Sequence, residues 1–181
     1  MNLANAITSF RLLLIPMVVG IYYSDWAFSN ISAAALFTLA SLSDWLDGYL
    51  ARRLNIATKL GAFLDPVADK LLVTTVLIML AERFSALLLP AIVIISREIV
   101  ISSLREWMAL KGKHEAVAVA FSGKLKTTFQ MLAIIVLILV SESSPDYLLP
   151  LGQGMIHLAA LLSLYSAYHY LKTAKPFLTD S

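Results

Sequence analysis

Four aspartates carry the first chemical signal in this sequence: Asp44, Asp47, Asp65 and Asp69. Asp44 and Asp47 are spaced i, i+3, and Asp65 and Asp69 are spaced i, i+4, so on helices each pair shares a face. All four lie in or beside long apolar runs, where an ionised carboxylate costs about 2.5–3.5 kcal/mol on insertion scales. The segment between the pairs carries Arg52, Arg53 and Lys59. It therefore reads as a loop joining two adjacent antiparallel spans, with both pairs at the ends nearest that loop. Four carboxylates brought to one spot repel each other unless positive charge lies between them. Hard oxygen donors select magnesium, manganese or calcium. Two divalent ions balance four carboxylates, and such a pair suits phosphoryl transfer, where metals hold the attacking and leaving oxygens.

The neighbouring residues favour a phosphate pocket. Gly48 follows Asp47, and Gly61 stands four positions before Asp65. Glycine inside a helix costs about 1 kcal/mol relative to alanine and belongs where a ligand or another backbone approaches closely. Ala51 keeps the same face small, and Arg52 ends the segment with a planar fork that matches phosphate. Each glycine alone is explained as well by helix packing. The aspartates have alternatives too: ion pairs with Arg52, Arg53, Lys59 or Lys70, or a cation or proton pathway in a transporter.

A second set of charges lies further along. Arg97 and Glu98 fall near the middle of an apolar run, and an intramembrane charge is a functional hypothesis by default. Glu98, Ser102 and Arg105 follow i, i+4, i+7 and form one stripe. Lys124 and Lys126 open the next run. Arg97, Arg105, Lys124 and Lys126 around one cavity suit an anionic acceptor, because guanidinium forks pair with phosphate oxygens in bidentate fashion. The alternative is local ion pairing, Arg97 with Glu98 and Arg105 with Glu106, with the lysines as loop-side markers.

These residues need elements to hold them, and the composition says which kind. The chain has 181 residues, is 59% hydrophobic and is only 14% charged, with a mean hydropathy of +0.79. Soluble domains are roughly 45–50% apolar and about 25% charged. This balance predicts an integral membrane protein and excludes intrinsic disorder. There is no cysteine, which excludes disulfides, thiolate zinc sites and cysteine nucleophiles. The net charge of +2 gives no reason to expect a nucleic-acid partner. A span needs about 20 apolar residues, and six are expected, near 7–23, 31–51, 63–81, 86–108, 122–140 and 148–171.

Asn2 to Ser9 is mildly amphipathic and is expected to form a short interfacial segment. No cleavable signal peptide, repeat or soluble linker is expected, so residues 1–181 read as one all-α membrane domain. Lys and Arg concentrate after spans two, four and six, which predicts both termini on the cytoplasmic side. Tyr22, Tyr23, Trp26, Trp107 and Tyr147 sit near span ends as expected interfacial anchors. His114, His157 and His169 show no metal-ligand spacing, and packing accounts for Ser41 and Ser43.

The residues Asp44-x-x-Asp47-Gly48-x-x-Ala51-Arg52, then eight residues, then Gly61-x-x-x-Asp65-x-x-x-Asp69 resemble the full signature of the CDP-alcohol phosphatidyltransferases. Asn5-x-x-Thr8-x-x-Arg11 resembles the family's opening segment, although Ala4 stands where relatives often carry proline. Residues 96–107 and 123–127 are similar to bacterial members that use glycerol 3-phosphate, and the likeness fades after about Val140. The resemblance implies a six-span fold with the motif on spans two and three. It also implies a two-metal site of Asp44, Asp47, Asp65 and Asp69, filled by Mg2+ or Mn2+, with Asp69 as general base. Asn5, Thr8, Asp44, Asp47, Gly48, Ala51, Arg52 and Gly61 become the expected CDP-binding positions.

The implied reaction moves the phosphatidyl group of CDP-diacylglycerol to glycerol 3-phosphate, releasing CMP. It places the protein in the bacterial inner membrane, among phospholipids, as a homodimer with its site facing the cytoplasm. The rivals are a sister enzyme using inositol phosphate or phosphatidylglycerol, a cation or proton transporter, and a noncatalytic scaffold.

Overall fold

A computed structural model describes the backbone over residues 3–54, 59–111 and 121–179. Side chains are described over the same ranges except residues 3–7, 44–54, 59–60, 62–63, 121–125 and 178–179. The described residues form helices and no strand: α1 (Leu3–Tyr22), α2 (Ser29–Leu54), α3 (Lys59–Arg83), a 3-10 turn (Ser85–Leu87), α4 (Leu88–Leu110), α5 (Phe121–Ile138) and α6 (Leu148–Thr179).

Each expected span coincides for most of its length with one helix; those near 7–23 and 122–140 run one and two residues past their helix ends, that near 86–108 begins in the 3-10 turn, and the other helices outrun their spans. α2 continues through the basic Arg52 and Arg53, and α6 passes Lys172 and Lys175. Hydropathy marks where apolar surroundings end, whereas the helix ends where backbone hydrogen bonding ends. Arginine and lysine are good helix formers, so the two limits separate. Residues 3–9 form the first turns of α1, continuous with the rest of that helix, and Thr8 is buried. The helix also runs on through Pro16.

The outward surface is apolar. Leu89 is 71% exposed and Leu161 66% exposed, the reverse of a soluble globule and the expected state of side chains that meet lipid. Among the described residues, Ser85–Leu110 and Leu148–Phe177 are long and apolar enough to cross a bilayer. Tyr23 and Trp26 are exposed as interfacial anchors should be, whereas Tyr22 turns inward and packs edge-on to Tyr23 with ring centroids 5.5 Å apart. It is core, not anchor.

The chain divides into two compact units: residues 1–80 with 135–148, and residues 81–134 with 149–181. In the first, α1 packs along α2. The buried stripe of α1 is Thr8, Arg11, Leu14, Val18 and Tyr22, and α2 answers with Ala33, Ala34, Phe37 and Ala40. Helices in lipid gain no hydrophobic free energy by meeting one another, so small residues that let backbones approach drive their association. The alanines of α2 fit that requirement. Hydroxyls on α2 are satisfied within their own helix: Thr38 donates to the Ala34 carbonyl at 2.7 Å, Ser41 to Phe37 at 2.9 Å and Ser43 to Leu39 at 2.7 Å. Ser41 and Ser43 thus have a local role, as their setting suggests.

Asn30 holds the start of α2. Its Nδ2 donates to the carbonyls of Ile138 at 2.6 Å and Val140 at 2.9 Å, and so caps carbonyls that the end of α5 leaves unsatisfied. Asn30→Leu is expected to cost about 1–3 kcal/mol by leaving these acceptors without that donor. A lowered thermal midpoint of the detergent-solubilised protein checks it.

In the second unit, α4 buries Ala91, Ile94, Ile101, Leu104 and Met108. The last three pack with Tyr170 and Ala174 of α6, and Trp107, Ala167 and Phe177 close around them. Trp107 is therefore partly core, with the Lys111 ammonium 4.3 Å from its ring centroid. The buried stripe of α6 runs through Ile156, Ala159, Ala160, Ser163, Ser166, Tyr170 and Ala174. It is rich in alanine and serine.

Candidate active site

The first unit holds the aspartate motif. Asp65 and Asp69 lie one turn apart on α3, both half-buried, between the buried Gly61 and Leu72. The Thr8 hydroxyl donates to Asp65 Oδ1 at 2.5 Å. A hydroxyl on α1 thus orients one carboxylate on α3, and it brings a predicted CDP-binding position onto a predicted metal ligand. Arg11 follows Thr8 by one turn and is fully buried. Sequence reasoning gives Arg11 no role beyond its place in the opening segment. The signal was nonetheless available, since a guanidinium inside a span is costly unless something anionic answers it.

The side chains of Asn5, Asp44, Asp47, Ala51 and Arg52 lie outside the described residues, as does Gly48 within its helix. The backbone places Asp44 and Asp47 on α2 and Asp65 and Asp69 on α3, the helices that the spacing predicts. Among the described residues no group of three or more acidic or imidazole side chains gathers as a metal site. Asp65 and Asp69 are two of the four expected ligands. All four are hard carboxylate oxygens, and with one of them already oriented by Thr8 the donor set fits Mg2+ or Mn2+.

The second unit holds the cationic set. Arg97 Nη1 donates to Glu98 Oε2 at 2.7 Å, and Lys126 Nζ reaches the same oxygen at 3.2 Å. Arg97 Nη2 donates to Ser166 Oγ at 3.0 Å. Arg105 Nη2 donates to Tyr170 Oη at 2.7 Å. The side chains of Arg97 and Lys126 are 9% and 2% exposed, and both meet the Glu98 carboxylate. Arg97 Nε and Arg105 Nε are buried and find no hydrogen-bond partner among the described residues. A buried donor left unmade costs roughly 1–3 kcal/mol, and an anion is the kind of group that could answer these two.

Arg97, Arg105 and Lys126 are thus brought into one network, while the Lys124 side chain lies outside the described residues. The Arg97–Glu98 ion pair, one of the alternatives that the sequence offers, is present, and it leaves donors unused. Arg105 pairs with Tyr170. Lys126 is too buried to be a loop-side marker. Ser166 and Tyr170 are absent from the sequence-based expectation, because α6 reads from its sequence as apolar span alone. His157 bonds the Gln153 carbonyl of its own helix at 2.7 Å, in keeping with a structural role.

Comparison with known proteins gives the family. The chain is 42% identical over 181 residues to the CDP-diacylglycerol–glycerol-3-phosphate 3-phosphatidyltransferase of Salmonella choleraesuis (strain SC-B67), covering 99% of this chain and 98% of that protein. It is 43% identical to the proteins of the same name from Shigella flexneri serotype 5b (strain 8401) and Escherichia coli (strain K12), with the same coverage. The sequence profile of the CDP-alcohol phosphatidyltransferases matches residues 1–165. That match takes in both aspartate pairs and the arginines of α4, and the chain belongs to the CDP-alcohol phosphatidyltransferase family.

Proposed function

We propose that this membrane protein transfers the phosphatidyl group of CDP-diacylglycerol to glycerol 3-phosphate, giving phosphatidylglycerophosphate and CMP. Near full-length identity to enzymes named for that reaction supports donor and acceptor together. The structural observation that carries the acceptor is the pair of buried guanidinium Nε donors on Arg97 and Arg105 that find no partner among the described residues. A phosphomonoester supplies acceptor oxygens and negative charge to such donors. Serine, choline and free inositol have no phosphate to offer.

The division of labour follows from residue chemistry. Asn5, Thr8, Gly48, Ala51, Arg52 and Gly61 take the CDP moiety, the small residues leaving room and Arg52 pairing with phosphate oxygen. Asp44, Asp47, Asp65 and Asp69 would hold two divalent ions, whose charge would offset that of the donor's diphosphate. Thr8 keeps Asp65 in a fixed orientation. Arg97, Arg105, Lys124 and Lys126 hold the acceptor phosphate and so restrict the orientations of its primary hydroxyl. Asp69 takes the proton from that hydroxyl as its oxygen bonds to the lipid-side phosphorus and the bond to CMP breaks. The protein spans the bacterial inner membrane six times with both termini and the site on the cytoplasmic face, as the distribution of Lys and Arg supports.

The test is CMP release by the purified protein from CDP-diacylglycerol with magnesium. Glycerol 3-phosphate, inositol phosphate, phosphatidylglycerol and serine are compared as acceptors. Release that depends on glycerol 3-phosphate is expected. Release with another acceptor would keep the donor chemistry and discard this reading of the cationic set. Ion flux in proteoliposomes with no CMP release would point to a transporter instead.

A further inference from the structure

Arg97 and Arg105 stand eight positions apart on α4, about 12 Å of helix rise, yet both reach one aromatic ring. The guanidinium carbon of Arg105 is 4.9 Å from the ring centroid of Tyr170, and that of Arg97 is 5.8 Å from it. The same tyrosine accepts a hydrogen bond from Arg105 Nη2 through its hydroxyl at 2.7 Å. One turn earlier on α6, Ser166 takes Nη2 of Arg97 at 3.0 Å. Tyr170 is itself 5% exposed, wedged among Ile101, Leu104, Met108 and Ala174. Its ring therefore has little freedom to follow the arginines. The arginines must conform to it.

We infer that Tyr170 is a positioning residue for the acceptor. It fixes two long, flexible cations in advance, so that binding a phosphate does not have to order them. An arginine side chain carries large rotamer entropy, and ordering such side chains at the moment of binding weakens affinity. A guanidinium is attracted to the face of a tyrosine ring. The hydroxyl bond adds direction, because it engages one nitrogen of Arg105 and leaves Nε for another acceptor. Two cations against one ring also repel each other, and a bound dianion relieves that repulsion. The inference rests on the reading of Arg97 and Arg105 as the acceptor-phosphate site.

The experiment compares Tyr170→Phe, Tyr170→Leu and Arg105→Ala in the full-length protein reconstituted with CDP-diacylglycerol. Apparent KM is measured separately for glycerol 3-phosphate and for the lipid donor. Tyr170→Phe keeps the ring and loses the hydroxyl, and is expected to raise KM for glycerol 3-phosphate about threefold to tenfold. Tyr170→Leu removes ring and hydroxyl and is expected to raise it roughly ten- to a hundredfold. In both, kcat and the donor KM should stay within about twofold, since Tyr170 contributes neither to the transition state nor to CDP binding.

Should Leu at this core position prevent folding, Tyr170→Phe alone still decides, because it preserves the packing. Unchanged acceptor KM in Tyr170→Phe, with a raised value in Arg105→Ala, would overturn the positioning role and leave the phosphate site standing. Equal loss for donor and acceptor would reduce Tyr170 to packing. Unchanged acceptor KM in Arg105→Ala would remove the phosphate site, and the positioning role with it.

Discussion

Asp69→Asn is expected to yield a folded, membrane-inserted protein whose turnover falls by about 10²- to 10⁴-fold, the usual loss when a general base is removed. Asparagine keeps the size and shape of aspartate, so packing on α3 next to the buried Ala68 is preserved. What disappears is the negative charge and the ability to accept a proton from the acceptor hydroxyl. The loss should sit in kcat, measured as CMP release at saturating CDP-diacylglycerol and glycerol 3-phosphate. Size-exclusion elution and thermal midpoint should match the unaltered protein. Asp65→Asn makes a useful contrast, because the amide oxygen can still accept the hydrogen bond from Thr8. Near-normal CMP release by Asp69→Asn would take Asp69 out of the chemistry.

The contrast between these two aspartates shows what a sequence can and cannot carry. Spacing alone puts Asp65 and Asp69 on one helix face, and α3 bears that out. Spacing cannot say which hydroxyl meets which carboxylate, because that depends on how α1 lies against its neighbours. Thr8 was legible as a motif residue and not as the donor to Asp65. Arg11 was legible only as an oddly placed charge. α6 was least legible of all. Ser163, Ser166 and Tyr170 are sparse polar residues in an apolar helix, and their periodicity matches an ordinary packing stripe. Their meaning comes from α4, whose arginines end on them. Hydropathy located every α-helix among the described residues and missed several ends, since helices persist past an apolar run wherever good helix formers follow.

Glu98 carries the other large effect, and it separates stability from chemistry. Its carboxylate holds Arg97 and Lys126 together at 2.7 and 3.2 Å. Removing one partner of a buried ion pair costs about 3–5 kcal/mol, because the remaining charge stays buried without its counter-ion. Glu98 is 36% exposed on its side chain, so solvent or a bound ion moderates the loss, and Glu98→Ala should fall toward the lower end, about 3 kcal/mol. The expected result is a sharp drop in the yield of monodisperse protein and a lower thermal midpoint.

Adding Lys126→Met to Glu98→Ala removes one of the two cations that the carboxylate served. The double variant should recover much of the lost stability, by the logic through which apolar replacements of a whole buried pair are often neutral. It should not recover use of glycerol 3-phosphate, because Lys126 is then missing from the phosphate site. Recovered stability with recovered acceptor KM would make Lys126 a structural cation only. Failure of the second substitution to restore any stability would mean that Glu98 acts chiefly on Arg97, whose hydrogen bond to it is the shorter of the two.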